Sequence, residues 1–123
     1  MRPSLARRVI LFCAMLSIPA AVYAQEATLT GTVNAFQWSN PHCWIQVLVP
    51  APGGAAEWSV EMGAPSMLLR GGWKPRTLKV GDPIVVVIHP MRDGTRGGLF
   101  VSASRGDGGP IVAPATAPGG AGG

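Results

Sequence analysis

Residues 61–72 read EMGAPSMLLRGG, and this stretch decides the fold. In the run that leads into it, Trp58, Val60 and Met62 recur at every second position. Inside it that pattern breaks. Pro65 suits the first turn of a helix, where its fixed φ is already helical and its missing N–H costs nothing. Ser66, Met67, Leu68, Leu69 and Arg70 continue the helix, and Gly71 and Gly72 end it. So short a helix does not stand alone in water, so it must pack on a sheet.

Working outward, three strands are expected before the helix. Thr28 to Trp38 is long and rich in β-branched residues. Leu29, Val33 and Ala35 share one face of it, while Phe36 and Trp38 fall on the opposite phase. A bulge or bend near Asn34 to Phe36 would bring both sets inside, and Gly31 eases strong curvature. His42 to Val49 sets Cys43, Ile45, Val47 and Val49 against His42, Trp44 and Gln46. Glu57 to Met62 sets Trp58, Val60 and Met62 against Glu57, Ser59 and Glu61.

Two strands are expected after the helix. Ile84 to Ile88 is an unbroken apolar run, the pattern of a strand covered on both faces; a dimer surface is the other reading. Leu99 to Ser104 would point Leu99, Val101 and Ala103 inward. Turn residues separate the runs: Ser39-Asn40-Pro41, Pro50 to Gly54, Lys79 to Asp82, and Asp93-Gly94. Three strands, a helix and two strands is the element order of the OB-fold. The expectation is therefore a mainly β domain, a small five-stranded OB-like barrel with one short helix between strands 3 and 4. An open five-stranded sheet covered by the helix is the competitor.

The 123 residues suffice for one domain. Arg2, Arg7 and Arg8, the apolar run Val9 to Ile18 and the small-x-small sequence Val22-Tyr23-Ala24 read as a signal peptide at 1–24, cleaved after Ala24. The apolar run is shorter than the roughly 20 residues of a spanning helix. Phe12 before Cys13 does not fit a lipoprotein. These features imply a periplasmic or secreted chain with no transmembrane segment after cleavage. Removing three arginines from ten basic and six acidic residues leaves 7 − 6 = +1. A nearly neutral mature chain offers no electrostatic case for nucleic acid. Only Cys43 then remains, so no internal disulfide can form. Residues 105–123 are mostly Gly, Ala and Pro and are expected to be a disordered tail. The folded domain is expected within 25–104.

The side chains with chemistry give few constellations. His42, Cys43, Met62, His89 and Met91 are soft or borderline ligands suited to copper or zinc, but no C-x-x-C or H-x-x-x-H pair occurs. A small buried apolar role is the commoner fate of a lone cysteine such as Cys43. Cysteine catalysis needs a base beside it, and no G-x-S-x-G run marks a serine nucleophile. Glu57 and Glu61 are more simply exposed polar-face carboxylates than a glycosidase pair. Arg70, Lys74, Arg76 and Lys79 form a positive run fit for an anionic head group or acidic glycan, or else a solvated helix end. Trp38, Trp44, Trp58 and Trp73 are many for a small core. Trp38 and Trp44 flank the Asn40-Pro41-His42 turn, where they either plug the barrel or stack on a ligand.

Two motifs carry a resemblance. Asn40-Pro41-His42-Cys43-Trp44 is one. The other runs from Glu61-Met62-Gly63-Ala64-Pro65 through Leu68, Leu69, Arg70, Gly71 and Trp73. With Leu29 to Val33 and Leu78 to Asp82, the chain from Ala27 to Ser104 resembles a domain-of-unknown-function family of small secreted proteins from Gram-negative bacteria. The resemblance implies an exported β-rich domain and no established activity. Members often carry a His-His-Ser-Phe-like segment after the signal peptide; here Gln25-Glu26-Ala27 leads straight into the first strand, which weakens a metal reading.

The expected function is a non-catalytic exported binding or scaffold module without a cofactor, whose partner is an envelope component or a protein. Its ligand site is expected at Trp38, Asn40, His42 and Trp44, with Arg70 and Trp73 as neighbours. The alternative is periplasmic copper or zinc binding through His42, Cys43 or His89.

Overall fold

The computed structural model describes residues 25–112. The expected signal peptide, its cleavage point and residues 113–123 lie outside the described residues. The elements are β1 (Ala27–Gln37), β2 (Trp44–Ala51), β3 (Gly54–Glu61), α1 (Pro65–Arg70), β4 (Pro83–Pro90) and β5 (Gly97–Arg105). The strands close into a barrel in the order β1-β2-β3-β5-β4. All neighbours are antiparallel except β3 and β5. The expected five-stranded OB-like barrel, with its helix between β3 and β4, is the observed one.

Closure depends on β1. Its first half pairs with β4, from Ala27 opposite Ile88 to Thr32 opposite Pro83. Its second half pairs with β2. At the crossing, a Cβ on Gly31 would lie 2.0 Å from the Leu48 carbonyl oxygen, so only glycine fits. Val33 lies opposite Val47 and Ala35 opposite Gln46, which leaves Asn34 as a bulge. The extra residue flips the phase, as expected. Phe36 now stands opposite the buried Ile45 and packs on the core with Trp38. Ala35, expected inside, faces out beside Gln46. The bulged Asn34 donates from its amide to Glu57 Oε2 at 2.6 Å.

A second bulge corrects the reading of β5. Val87 pairs with Ser102 and Ile88 with Phe100, so Val101 is the extra residue. Phe100 and Ala103 therefore pack on the core. Leu99 and Val101, expected inside, are 51% and 38% exposed. In β4, Ile84, Val86 and Ile88 are buried, but Val85 and Val87 are only half-buried. Their cross-strand neighbours are Thr28 and Thr30 on one side and Ser102 and Ser104 on the other. Such small side chains cover the outer face only partly, so the strand is dry on one face rather than two.

The core joins Val33, Ile45, Val47, Val60, Ile84, Val86 and Ile88, and among the described residues no polar or charged residue is buried with them. Burying each of these aliphatic side chains stabilises the fold by about 1.5–3 kcal/mol. α1 begins at Pro65 and ends with Gly71 N–H donating to the Met67 carbonyl at 3.2 Å. It buries Leu68, and Trp73 follows directly into the core.

The domain boundary expected at Ser104 moves outward. Ser104 bridges to Pro110, and Ile111 is buried in the core. Arg105 donates from Nε to the Pro110 carbonyl at 3.2 Å and from Nη2 to the Ile111 carbonyl at 3.4 Å. Within a segment mostly of Gly, Ala and Pro, the pair Ile111-Val112 supplies enough apolar surface to fold the chain back.

Candidate functional site

The two sequence motifs meet where β2 begins and β3 ends. Cys43 N–H donates to the Gly63 carbonyl at 3.0 Å, and Met62 N–H to the Cys43 carbonyl at 2.9 Å. This continues the β2–β3 ladder past its last regular pair, Trp44 opposite Glu61. Across the extension, His42 Nδ1 stands 2.6 Å from Glu61 Oε1. It is the one contact between a basic and an acidic side chain within 4.0 Å among the described residues. Both side chains keep solvent contact, 47% and 29% exposed, so the pair contributes at most about 1 kcal/mol. Its effect is to aim the Glu61 carboxylate.

The loop from Trp38 to Cys43 holds His42 in place. The Asn40–Pro41 peptide bond is cis. The Ser39 hydroxyl donates to the His42 carbonyl at 2.8 Å. That bond closes the turn, and the exposed side chain of Asn40 makes no hydrogen bond among the described residues. Cys43 is a free thiol, fully buried, with Sγ 3.8 Å from the Ser39 carbonyl oxygen. Its burial fits the apolar role and leaves His42 and Cys43 facing opposite ways.

The expected site residues divide into two groups. Trp73 is buried, with its ring centroid 6.0 Å from Phe36 and 5.8 Å from Phe100, the latter edge-on at 90°. Trp38 stacks edge-on against Phe36 at 5.9 Å. These two tryptophans seal the barrel, so Trp73 is corrected from ligand contact to core residue. Arg70 is exposed at the end of α1 and makes no ion pair with the loop among the described residues. Trp44 is different. Its neighbours Cys43 and Ile45 point inward, so it lies on the outer face, between Gln37 of β1 and Glu61 of β3.

Trp44 forms one wall of a cleft with Ser59 and Glu61 of β3 and Met91, Thr95 and Arg96 of the β4–β5 hairpin. Gly97 and Gly98 let the hairpin come close. A Cβ on Gly98 would lie 2.4 Å from the His89 carbonyl oxygen. The hairpin is tethered by Ser59 N–H to the Arg96 carbonyl at 3.1 Å and Met91 N–H to the Gly97 carbonyl at 3.0 Å. Asp93 accepts from Thr95 N–H at 3.0 Å and from the Thr95 hydroxyl at 2.7 Å. These bonds hold the Asp93 carboxyl below its ordinary pKa. Behind the cleft runs a polar chain: Ser59 Oγ donates to Gln46 Oε1 at 2.6 Å, and Gln46 Nε2 to Gln37 Oε1 at 2.9 Å. The single-strand reading missed Ser59, Met91 and Arg96. The element order held the signal, because the OB-fold sets the β2–β3 face beside its loops between β1 and β2 and between β4 and β5.

For the metal reading, no three His, Cys, Asp or Glu side chains converge among the described residues. His89 lies on β4 with Nδ1 buried and without a hydrogen-bond partner among the described residues. Glu57 and Glu61 share a face of β3 four residues apart, about 13 Å at strand rise. Glycosidase carboxyls lie at about 5–9.5 Å, so this spacing does not suit that chemistry.

A model for a family of unknown function, DUF6152, matches residues 13–102. The chain belongs to the DUF6152 family. The match takes in both motifs and all of β1 to β4 of this DUF6152 domain. It ends at Ser102 within β5, before the fold-back of residues 105–112. No curated protein matches. Among solved structures, the chain is similar to the mitochondrial single-stranded DNA-binding protein Rim1 of S. cerevisiae, with a TM-score of 0.48 and 7% identity. That match covers 66% of this chain and 92% of the other. No helix among the described residues is long and apolar enough to cross a membrane.

Proposed function

We propose that this DUF6152 protein is a non-catalytic exported binding module whose ligand lies in the cleft between Trp44 and the β4–β5 hairpin. The observation that carries the reading is the outward Trp44 on a strand whose neighbours are buried, with Glu61, Ser59 and Arg96 around it. An indole held on an outer sheet face offers a flat apolar platform. The carboxylate, hydroxyl and guanidinium beside it offer directed hydrogen bonds. A saccharide has the matching chemistry, with an apolar ring face and hydroxyls at its edge. His42 serves by orienting Glu61, and Trp38 by fixing the loop that carries His42. The signal peptide expected at residues 1–24 supports export, and export makes an envelope glycan the source.

Amide chemical-shift mapping with soluble peptidoglycan fragments tests the reading. Shifts are expected at Trp44, Ser59, Glu61 and Arg96, with quenching of tryptophan fluorescence that the Trp44→Phe variant reduces and Trp44→Ala removes. The glycan is expected to be recovered uncleaved. Shifts confined to other surfaces, or cleavage of the glycan, would overturn it.

A further inference from the structure

The basic residues are placed unevenly around the barrel. Lys74, Arg76 and Lys79 belong to the connection between α1 and β4, and Arg105 ends β5. The fold gathers all four around one depression of about 490 Å³, with Thr77 and Asp82 on its wall and Ile111 and Val112 along its apolar side. Arg70, part of the same run in sequence, does not line it.

Tight turns set the positions of these cations. Lys74 N–H donates to Thr77 Oγ1 at 2.7 Å, and Thr77 N–H returns to the Lys74 carbonyl at 3.0 Å. Lys79 N–H donates to Asp82 Oδ2 at 2.9 Å, and Asp82 N–H to the Lys79 carbonyl at 3.0 Å. That second turn is locked onto the bulge of β1, with Gly81 N–H donating to the Val33 carbonyl at 2.7 Å and Val33 N–H to the Asp82 carbonyl at 2.9 Å. Arg105 is held by the carbonyls of Pro110 and Ile111. Among the described residues none of the four cations has a carboxylate within ion-pair distance. The one acidic wall residue, Asp82, already spends an oxygen on a backbone N–H. Like charges gathered without counter-charges repel, and an anion in their midst relieves that repulsion.

We propose that this groove binds a phosphate-bearing group. Arginine and lysine together match a phosphate's charge and its several acceptor oxygens, and the Thr77 hydroxyl adds a donor. The groove lies at the Arg105 end of β5, whereas the Trp44 cleft lies at the Gly97 end. Eight residues separate these ends, about 26 Å at strand rise, so the two sites are independent and fail independently.

The test uses two probes on the protein beginning at Gln25. Pyrophosphate represents a soluble phosphate source. Vesicles of phosphatidylglycerol in phosphatidylcholine represent a lipid headgroup, with pure phosphatidylcholine as the neutral comparison. Binding of at least one probe is expected, with amide shifts at Lys74 to Asp82 and at Gly106 to Val112. Pyrophosphate binding assigns the soluble source, and anionic-vesicle binding alone assigns the headgroup. The Lys74→Gln/Arg76→Gln/Lys79→Gln variant is expected to bind at least roughly tenfold more weakly, and affinity is expected to fall as salt shortens the Debye length. If that variant melts early, Arg76→Gln alone is read instead, with a loss of about threefold. Arg92→Gln, on the distant hairpin, is expected to change nothing. The proposal is overturned if neither probe binds, if the groove variant binds like the parent, or if Arg92→Gln weakens binding as much as the groove variant.

Discussion

Trp73 and Trp44 come from the two motifs that meet at one end of the barrel, yet they belong to opposite kinds of surface. Trp73 closes a ring cluster with Phe36 and Phe100 and is buried. Trp44 sits one ladder away with its indole outside, among Glu61, Ser59 and Arg96. The difference comes from backbone phase. A bulge at Asn34 and another at Val101 turn Phe36 and Phe100 inward, and Trp73 completes what they begin. No bulge intervenes in β2, so Trp44 keeps the outward phase that alternation with Cys43 and Ile45 assigns to it. The same residue type thus serves stability in one case and, by the proposed function, recognition in the other.

The sharpest way to break this comparison is to remove each indole. Trp73→Ala is expected to cost about 3–5 kcal/mol, as for other buried aromatics, read as a lower urea midpoint. Trp44→Ala is expected to cost about 1 kcal/mol or less while abolishing the glycan response. Equal stability losses would show that the two tryptophans do not differ in role. Gly31→Ala probes the crossing on which the inward phase of β1 depends. Its methyl meets the Leu48 carbonyl, and a loss of about 1–3 kcal/mol is expected in the same unfolding experiment. His42→Ala leaves Glu61 unguided; about 1 kcal/mol or less of stability is expected to be lost, with weakened glycan affinity as the larger effect.

The smallest effect concerns the hairpin that faces Trp44. The Asp93 carboxyl is lowered from 3.8 in the folded chain, first by the Thr95 hydroxyl and then by the Thr95 N–H. A carboxyl lowered by folding favours the folded state once ionised. Its contribution is present above 3.8 and is lost as pH falls through the folded value. Thr95→Ala is expected to move the Asp93 carboxyl back toward 3.8, read by carboxyl carbon shifts in an NMR titration. An unchanged titration would mean that Thr95 does not order the hairpin.

Much of the fold was legible because its signals are local. Pro65 and Gly71 bracket the helix, and turn residues separate five runs of apolar residues. The bulge in β1 was legible too, since Phe36 and Trp38 are too large to leave outside while Leu29 and Val33 are inside. The bulge in β5 was not. Leu99, Val101 and Ala103 form a plausible apolar face by themselves, and only the fit of Phe100 against Trp73, 27 residues upstream in the chain, decides against it. The return of residues 105–112 depends on two apolar side chains in a segment whose composition argues for disorder. At the site, Trp44 and His42 could be named from their motif. Ser59, Arg96 and the Glu61 pairing required knowledge of which loops the barrel brings together, and so did the joining of Arg105 to Lys74, Arg76 and Lys79.

The buried thiol of Cys43 gives this fold an internal clock. In a chain beginning at Gln25 it is the sole sulfhydryl, and its surroundings admit no solvent. An alkylating reagent must therefore wait for the loop from Trp38 to Cys43, or the whole barrel, to open. The labelling rate at low reagent reports how often that happens. Comparing the rate with and without a bound glycan reads how tightly the ligand shuts the same door.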